Sequence, residues 1–261
     1  MLKRRPASTQ ALLAAAALLA AGQSATTADA AIVYGDFSDV PPGSVMYTDV
    51  TESSSSDPLP PALYGAPSIF GNTLDFDPAG FGASSVGPIP GADITEGQLN
   101  FGFEVVTGPG LSGLTLSEGG DYSVFGSGTT TTSVNGGLFA QVDITEVNGV
   151  ALASPIIVVG FTSFSNDLIN SPGLTQPWSQ GLTLDFGPFL ANAGFDPNVD
   201  GVTAGEVVLN NGLVAISEGN PSTVAQIVKK DFKVNPLVVP EPGSIALLAL
   251  GGLACVTRRR R

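Results

Sequence analysis

Gln98-Leu99-Asn100-Phe101-Gly102-Phe103-Glu104-Val105 alternates apolar residues with small or polar ones at a period of two, the spacing of a strand with one face buried and one face in water. Leu138, Ala140, Val142 and Ile144 repeat the pattern against Gln141, Asp143 and Thr145, and Leu182, Leu184 and Phe186 continue it. Further short strands are expected over 31–37, 44–50, 120–125 and 224–234. Asn-Gly pairs tolerate positive φ, so Asn148-Gly149 and Asn211-Gly212 are both expected to be hairpin turns between apolar runs. No segment of this region combines helical spacing with caps at both ends. Alternating strands must each bury one face, so the expected fold class is all-β, an antiparallel β-sandwich.

Composition agrees. The chain has 261 residues with 33 Gly, 20 Pro, 43% hydrophobic and 13% charged residues, enough apolar material for a core and far too many turn formers for a helix bundle. A weak internal repeat runs through it. Thr73-Leu74-Asp75-Phe76 recurs as Thr183-Leu184-Asp185-Phe186, Ile94 to Leu99 resembles Val202 to Val207, and Leu116 to Gly119 resembles Ile216 to Gly219. Two related halves of one sandwich fit this, without a charged or Pro-rich linker between them. Ser53 to Pro61, rich in serine and proline, is expected to be a surface loop, and the loop near Tyr64 is the expected site of first proteolysis.

Charge placement excludes several chemistries. The chain has no His, and none of its ten basic residues lies between Arg5 and Lys229. A Ser-His-Asp triad, a Cys-His pair and a His-ligated metal are therefore impossible, and no cation over that stretch can hold phosphate, which excludes nucleic acid as a partner. Trypsin has no cleavage site there. All but two of the 23 acidic residues lie in 31–239, together with only three lysines, so the domain is expected to be strongly anionic and soluble in a crowded matrix. Lys229, Lys230 and Lys233 are expected either to compensate acids or to discourage edge pairing of the last strand.

The two ends read as addresses. Lys3, Arg4 and Arg5 precede the apolar run Ala11 to Ala21, and Ala28-Asp29-Ala30 offers small residues to a signal peptidase, so 1–30 is expected to be a secretory signal helix that is removed. At the other end Pro240-Glu241-Pro242 is followed by apolar Ile245 to Val256 and by Arg258, Arg259, Arg260 and Arg261. Two prolines keep the segment extended and open to cleavage. The span from Gly243 to Thr257 makes about 22 Å of helix, short of a bilayer core of about 30 Å, which suits a transient anchor stopped by the arginines on the cytoplasmic side. Cys255 lies inside it.

This C-terminal stretch resembles the PEP-CTERM sorting signal of Gram-negative bacteria in order, spacing and position. The resemblance covers only the last two dozen residues. It implies an exosortase-type processing enzyme as partner, transient attachment to the inner membrane, and final placement at the cell surface, in the envelope or in the extracellular matrix. The organisation expected is then 1–30 signal peptide, 31–237 β-sandwich and 238–261 sorting signal.

Candidate sites are sparse. Asp196-Pro197-Asn198-Val199-Asp200-Gly201 places oxygen ligands at positions 1, 3 and 5 and Gly at 6, as a calcium loop begins. A plain Asp/Asn/Gly turn has the same composition, and Glu206 stands one position short of the bidentate acid such a loop requires. Asp75 and Asp77 fall on one side of a strand and, with Asp185, are the carboxylates a carbohydrate-active protein would use; the favoured reading is that Asp77-Pro78 starts a turn and Asp75 is solvated. Trp178, Tyr47, Tyr64 and Tyr122 fit either a sugar-stacking platform or a core. The expected function is that of an exported acidic surface or matrix protein, structural or adhesive and not an enzyme. The alternative is a carbohydrate-binding or carboxylate-dependent carbohydrate-active protein that binds surface polysaccharide with calcium.

Overall fold

The computed structural model describes residues 31–39 and 44–239. The expected N-terminal signal helix, Pro240, Glu241, Pro242, the expected C-terminal hydrophobic helix and Arg258, Arg259, Arg260 and Arg261 lie outside the described residues. Among those described, no helix is long and apolar enough to cross a membrane.

The strands are β1 (Ile32–Ser38), β2 (Val45–Ser53), β3 (Ser68–Phe70), β4 (Thr73–Phe76), β5 (Gly82–Val86), β6 (Gly91–Val105), β7 (Leu111–Phe125), β8 (Ser133–Val147), β9 (Val150–Asp167), β10 (Gly173–Asp185), β11 (Val202–Ser217) and β12 (Val224–Val238), with one short helix α1 (Gly187–Asn192) between β10 and β11. Their pairing forms two antiparallel layers. One runs β1-β2-β6-β11-β8-β9. The other runs β10-β7-β12, with β4 and β5 sharing the far side of β12 and β3 beyond β4. A single ladder pair, Val202 with Leu111, joins the layers. Inward-facing apolar residues of both layers, from Leu99, Phe101 and Phe103 through Leu138 to Val142 and Leu209 to Phe232 and Val234, form one core. The all-β antiparallel sandwich is thus the observed fold.

Asn148-Gly149 is the β8–β9 turn: both residues have positive φ, 52° and 74°, as a two-residue hairpin requires. Asn211-Gly212 is not a turn. Both residues lie within β11, paired to Gly97 and Glu96 on one side and to Leu138 and Gly137 on the other, and Asn211 is 1% exposed. Its carboxamide donates to the buried Glu118 carboxylate, and that partner overrides the local turn preference of the pair. Gly119-Gly120 is likewise internal to β7, where Val228 O lies 2.0 Å from the place a Cβ on Gly120 would take; only glycine permits that approach, so the strand expected from 120 begins at Leu111. The helix α1 leaves no periodic signal in the sequence because it is under two turns long, started by Pro188 and followed by Gly194 at φ 91°.

The repeated segments do not divide the molecule. Ile94 to Leu99 and Val202 to Val207 lie in β6 and β11, neighbours in one layer, whereas Leu116 lies in the opposite layer from Ile216. Strand β12 is also not an edge. It is flanked by β7 and by β4 and β5, so its lysines do not guard against edge pairing.

Tyr64 belongs to the connection between β2 and β3 yet is fully buried, its ring edge-on to Phe76, Phe81 and Phe232. The expectation of first cleavage near Tyr64 is therefore corrected: the exposed aromatic nearby is Phe70, 87% accessible on the three-residue strand β3. Limited chymotrypsin digestion of the native protein should cut after Phe70 first and leave Tyr64, Phe101, Phe103 and Phe186 intact until global unfolding. Fragment masses that show cleavage at Phe101 as early as at Phe70 would contradict this core.

Candidate functional site

A polar groove lies on the outer face of the layer containing β2, β6, β11 and β8. Ladder partners stack polar residues there in rows: Thr48, Gly102, Glu206 and Asp143 in one, Thr51, Asn100, Val208 and Gln141 in the next. Between them runs a groove of about 520 Å³ lined also by Asp49, Glu104 and Thr145. Its floor is Gly102, where a Cβ would meet Thr48 Oγ1 at 2.5 Å. Phe101 and Phe103 border it through their strand but turn their rings into the core, 3% and 1% exposed. The groove therefore presents carboxylates, hydroxyls and an amide, with no cation and no stacking ring. Such a surface accepts donor-rich neutral groups and repels phosphates and acidic polymers. Neither Glu104 nor Glu206 was singled out by the sequence as a groove residue, because what unites them is cross-strand register.

Asp75 and Asp77 do come together, and Asp231 from β12 joins them, one oxygen of each lying within 4.8 Å of the others. The cation at this cluster is Lys233, whose Nζ is 3.4 Å from Asp75 Oδ1 and 2.5 Å from Asp231 Oδ1. The hydrogen bond from Lys233 to Asp231 holds its ammonium above the usual lysine range. Asp185 is elsewhere, separated from β4 by β7 and β12, and its Oδ1 accepts from Gly187 N at 2.9 Å.

Asp196, Asn198 and Asp200 share one turn, and their side chains hold the turn itself. Asp196 Oδ1 accepts from the backbone and side-chain nitrogens of Asn198 at 3.0 and 2.9 Å. These two bonds, backbone first, lower its carboxyl below the ordinary aspartate range. Asp200 accepts from Asp196 N and from Asn148 Nδ2, both at 2.7 Å, while Asn148 Oδ1 accepts from Gly201 N. The turn is thus clamped to the β8–β9 hairpin. Glu206 faces the groove instead.

The aromatic candidates do not form a platform. Tyr47 and Tyr64 are inaccessible, Tyr122 and Trp178 are 8% and 7% exposed, and Trp178 stacks on Phe164 at 4.8 Å with its indole N–H given to Val228 O. Deeper still sits Glu118, which accepts from Lys229 Nζ at 2.6 Å and from the side-chain amides of Asn211 and Gln180. Lys229 is packed against the Phe81, Tyr64 and Phe232 rings, 4.4 to 5.3 Å from their centroids. Of the two roles expected of Lys229, charge compensation is the one the structure shows, at Glu118.

The PEP-CTERM protein-sorting motif matches residues 238–261. The chain therefore carries a sorting signal at its C-terminus, which implies recognition by an exosortase and indicates export to the cell envelope or surface. No curated protein matches the chain. Among solved structures it is similar to a xylan-binding module, CBM15, at 11% identity over 80% of this chain and 97% of that one, with a TM-score of 0.22. It is also similar to the enzymatically active domain of bacteriophage CBA120 tailspike protein 4, at 13% identity over 79% of this chain and 19% of that one, with a TM-score of 0.18. At these TM-scores neither likeness bears on function.

Two buried tyrosines and one half-buried one give the molecule a pH signature. Desolvation raises Tyr34, Tyr47 and Tyr64 well above the usual tyrosine range, reinforced by Glu52 at Tyr34 and by Glu118 and Glu52 at Tyr64. The unfolded chain ionises these phenols near about pH 10 while the native state keeps their protons. Above that pH the folded state binds more protons than the unfolded state, so stability falls as pH rises. Urea midpoints should decline steadily between about pH 9 and 11, and Tyr47→Phe, which removes one of the three groups, should flatten the decline. A flat wild-type profile would contradict the burial of these phenols.

Proposed function

We propose that this protein is a structural or adhesive component of the cell surface or extracellular matrix, not an enzyme, exported by its N-terminal signal and held transiently in the inner membrane by its apolar C-terminal segment until an exosortase-type enzyme processes it. The observation that supports this reading is the junction between domain and tail. β12 ends at Val238, where the sorting motif begins, and Val239 is still buried, its N–H given to Gly110 O at 2.9 Å. The folded domain thus reaches the residue before Pro240, so a tail anchored at the surface holds the sandwich by a central strand and not by a slack linker. Carboxylates without matching cations keep such a domain solvated.

A second reading rests on the groove over Gly102. Its hydroxyl, amide and carboxylate lining suits a neutral surface polysaccharide, whose hydroxyls are donors, and disfavours acidic ones.

Replacing Pro240, Glu241 and Pro242 together with alanine should leave export intact and accumulate an unprocessed, membrane-bound form. Identical mature mass and location in the mutant would overturn the sorting reading. For the groove, retention of the wild-type protein on neutral but not acidic polysaccharides is expected, with about tenfold weaker binding for Asn100→Ala; equal retention on both, or none, removes the groove from consideration.

A further inference from the structure

The single cysteine, Cys255, lies in the tail, so no disulfide can tie the two layers of the sandwich together. The centre of the core instead holds an amine, a carboxylate and a carboxamide that neither the sorting reading nor the groove uses. Lys229 stands on β12 and Glu118 on β7, in one layer; Asn211 stands on β11, in the other. The side chains of Lys229 and Glu118 are both 0% accessible, and Asn211 is 1% exposed. Lys229 Nζ and Asn211 Nδ2 donate to the same oxygen, Glu118 Oε2. Two donors on one acceptor lie within about 5 Å of each other, the sum of two hydrogen-bond lengths. Asn211 Oδ1, meanwhile, is buried with no hydrogen-bond partner, an uncommon state for a core carbonyl.

We propose that Lys229 and Asn211 become joined by an intramolecular isopeptide bond between Nζ and Cγ, formed autocatalytically with Glu118 as the proton-transfer group. The bond would link the two layers covalently.

The chemistry uses only groups in place. Burial against Tyr64, Phe81 and Phe232 lowers the proton affinity of Lys229, opposed by the charge and hydrogen bond of Glu118. Passing one proton along the 2.6 Å contact turns an ion pair into a neutral amine and a neutral acid, which an apolar site favours. The carboxamide of Asn211 can then turn about its terminal torsion so that Oδ1, at present unpartnered, accepts the new Glu118 proton. That hydrogen bond polarises the carbonyl, and the free amine of Lys229 attacks Cγ. The Nζ–Cγ bond forms and the Cγ–Nδ2 bond breaks, with Glu118 carrying a proton from the attacking nitrogen to the departing one. One amine and one primary amide give one secondary amide and one ammonia, and no oxidant or other reactant is needed. Gln180 donates to the other oxygen, Oε1, and so orients the carboxylate from the side away from the reacting pair. The water-poor core protects the product from hydrolysis.

Digestion of the denatured full chain with a glutamate-specific protease provides the test. Cleavage after Glu206 and Glu218 places Asn211 in the peptide 207–218 and Lys229 in the peptide that begins at Gly219. The expected product is a single linked species weighing the two peptides together less one ammonia, with fragmentation placing the link on Asn211 and Lys229. Recovery of the two peptides separately at their sequence masses overturns the proposal, as does a link to 147–206, which contains Gln180. Glu118→Gln, checked for folding by circular dichroism, should yield the peptides unlinked; a folded variant that remains linked overturns the role of Glu118. If that variant fails to fold, the wild-type digest alone still decides whether the bond exists.

Discussion

The contact between Lys229 and Glu118 sets the terms for the rest of the core. Two charges held 2.6 Å apart with no access to water are tolerable only if each is fully engaged, because removal of one partner from a buried pair costs about 3–5 kcal/mol. The surroundings supply that engagement. Rings of Tyr64, Phe81 and Phe232 face the ammonium, and the Asn211 and Gln180 amides face the carboxylate. Each of these neighbours imposes a further constraint. Room for Tyr64 and Phe81 requires Gly97 in β6, where a Cβ would lie 2.9 and 2.6 Å from their rings. The close packing of β12 on β7 beside Lys229 requires Gly120.

A domain almost without cations must satisfy its acids by other means, and it does so with backbone and hydroxyl donors. Glu52, fully buried, accepts from Leu63 N and Tyr34 OH at 2.5 Å and from Tyr64 N at 3.2 Å. One carboxylate thereby fixes β1 and the connection that carries Tyr64 into the core. Glu218 accepts from Thr129 N at 2.6 Å and from the Thr129 and Thr132 hydroxyls at 2.9 Å, and these bonds, the Thr129 backbone donor first, hold it below the ordinary glutamate range. The same scarcity explains why each of the three lysines is committed: Lys229 to Glu118, Lys230 to Asp121, and Lys233 to Asp75 and Asp231.

The alternation of Gln98 to Val105 and of Leu138 to Ile144 made the sandwich legible, since a period of two is a property of the chain alone. Asn148-Gly149 was legible for the same reason, because its turn is decided by local φ. Asn211-Gly212 was not, although the dipeptide is identical: a carboxylate more than ninety residues earlier decides its conformation. The glycines of β7 and β11 read as punctuation in sequence and serve in the fold as points of close approach. The acidic cluster was partly legible, Asp75 and Asp77 from their spacing, but Asp231 reaches them only through the pairing of β12 with β4. The groove over Gly102 was illegible altogether, since its rows exist only once four strands are in register.

The position of β12 connects the address to the architecture. The sorting motif follows directly on a strand that lies centrally, hydrogen-bonded to β7 from Val224 to Val238 and to β4 and β5 on its other side. Pulling along β12 shears these ladders together, so many backbone hydrogen bonds resist at once, whereas an edge strand would yield them to one neighbour only. Lys229 sits along that strand, opposite the other layer through Glu118 and Asn211. Under the proposed surface attachment, load entering at Val239 would pass from β12 to β7 by the ladder and from one layer to the other at the buried carboxylate. That path is short, because β12 pairs continuously enough with β7 to bring Val224 through Val238 into one ladder, and the only contact it needs between layers is the one at Glu118.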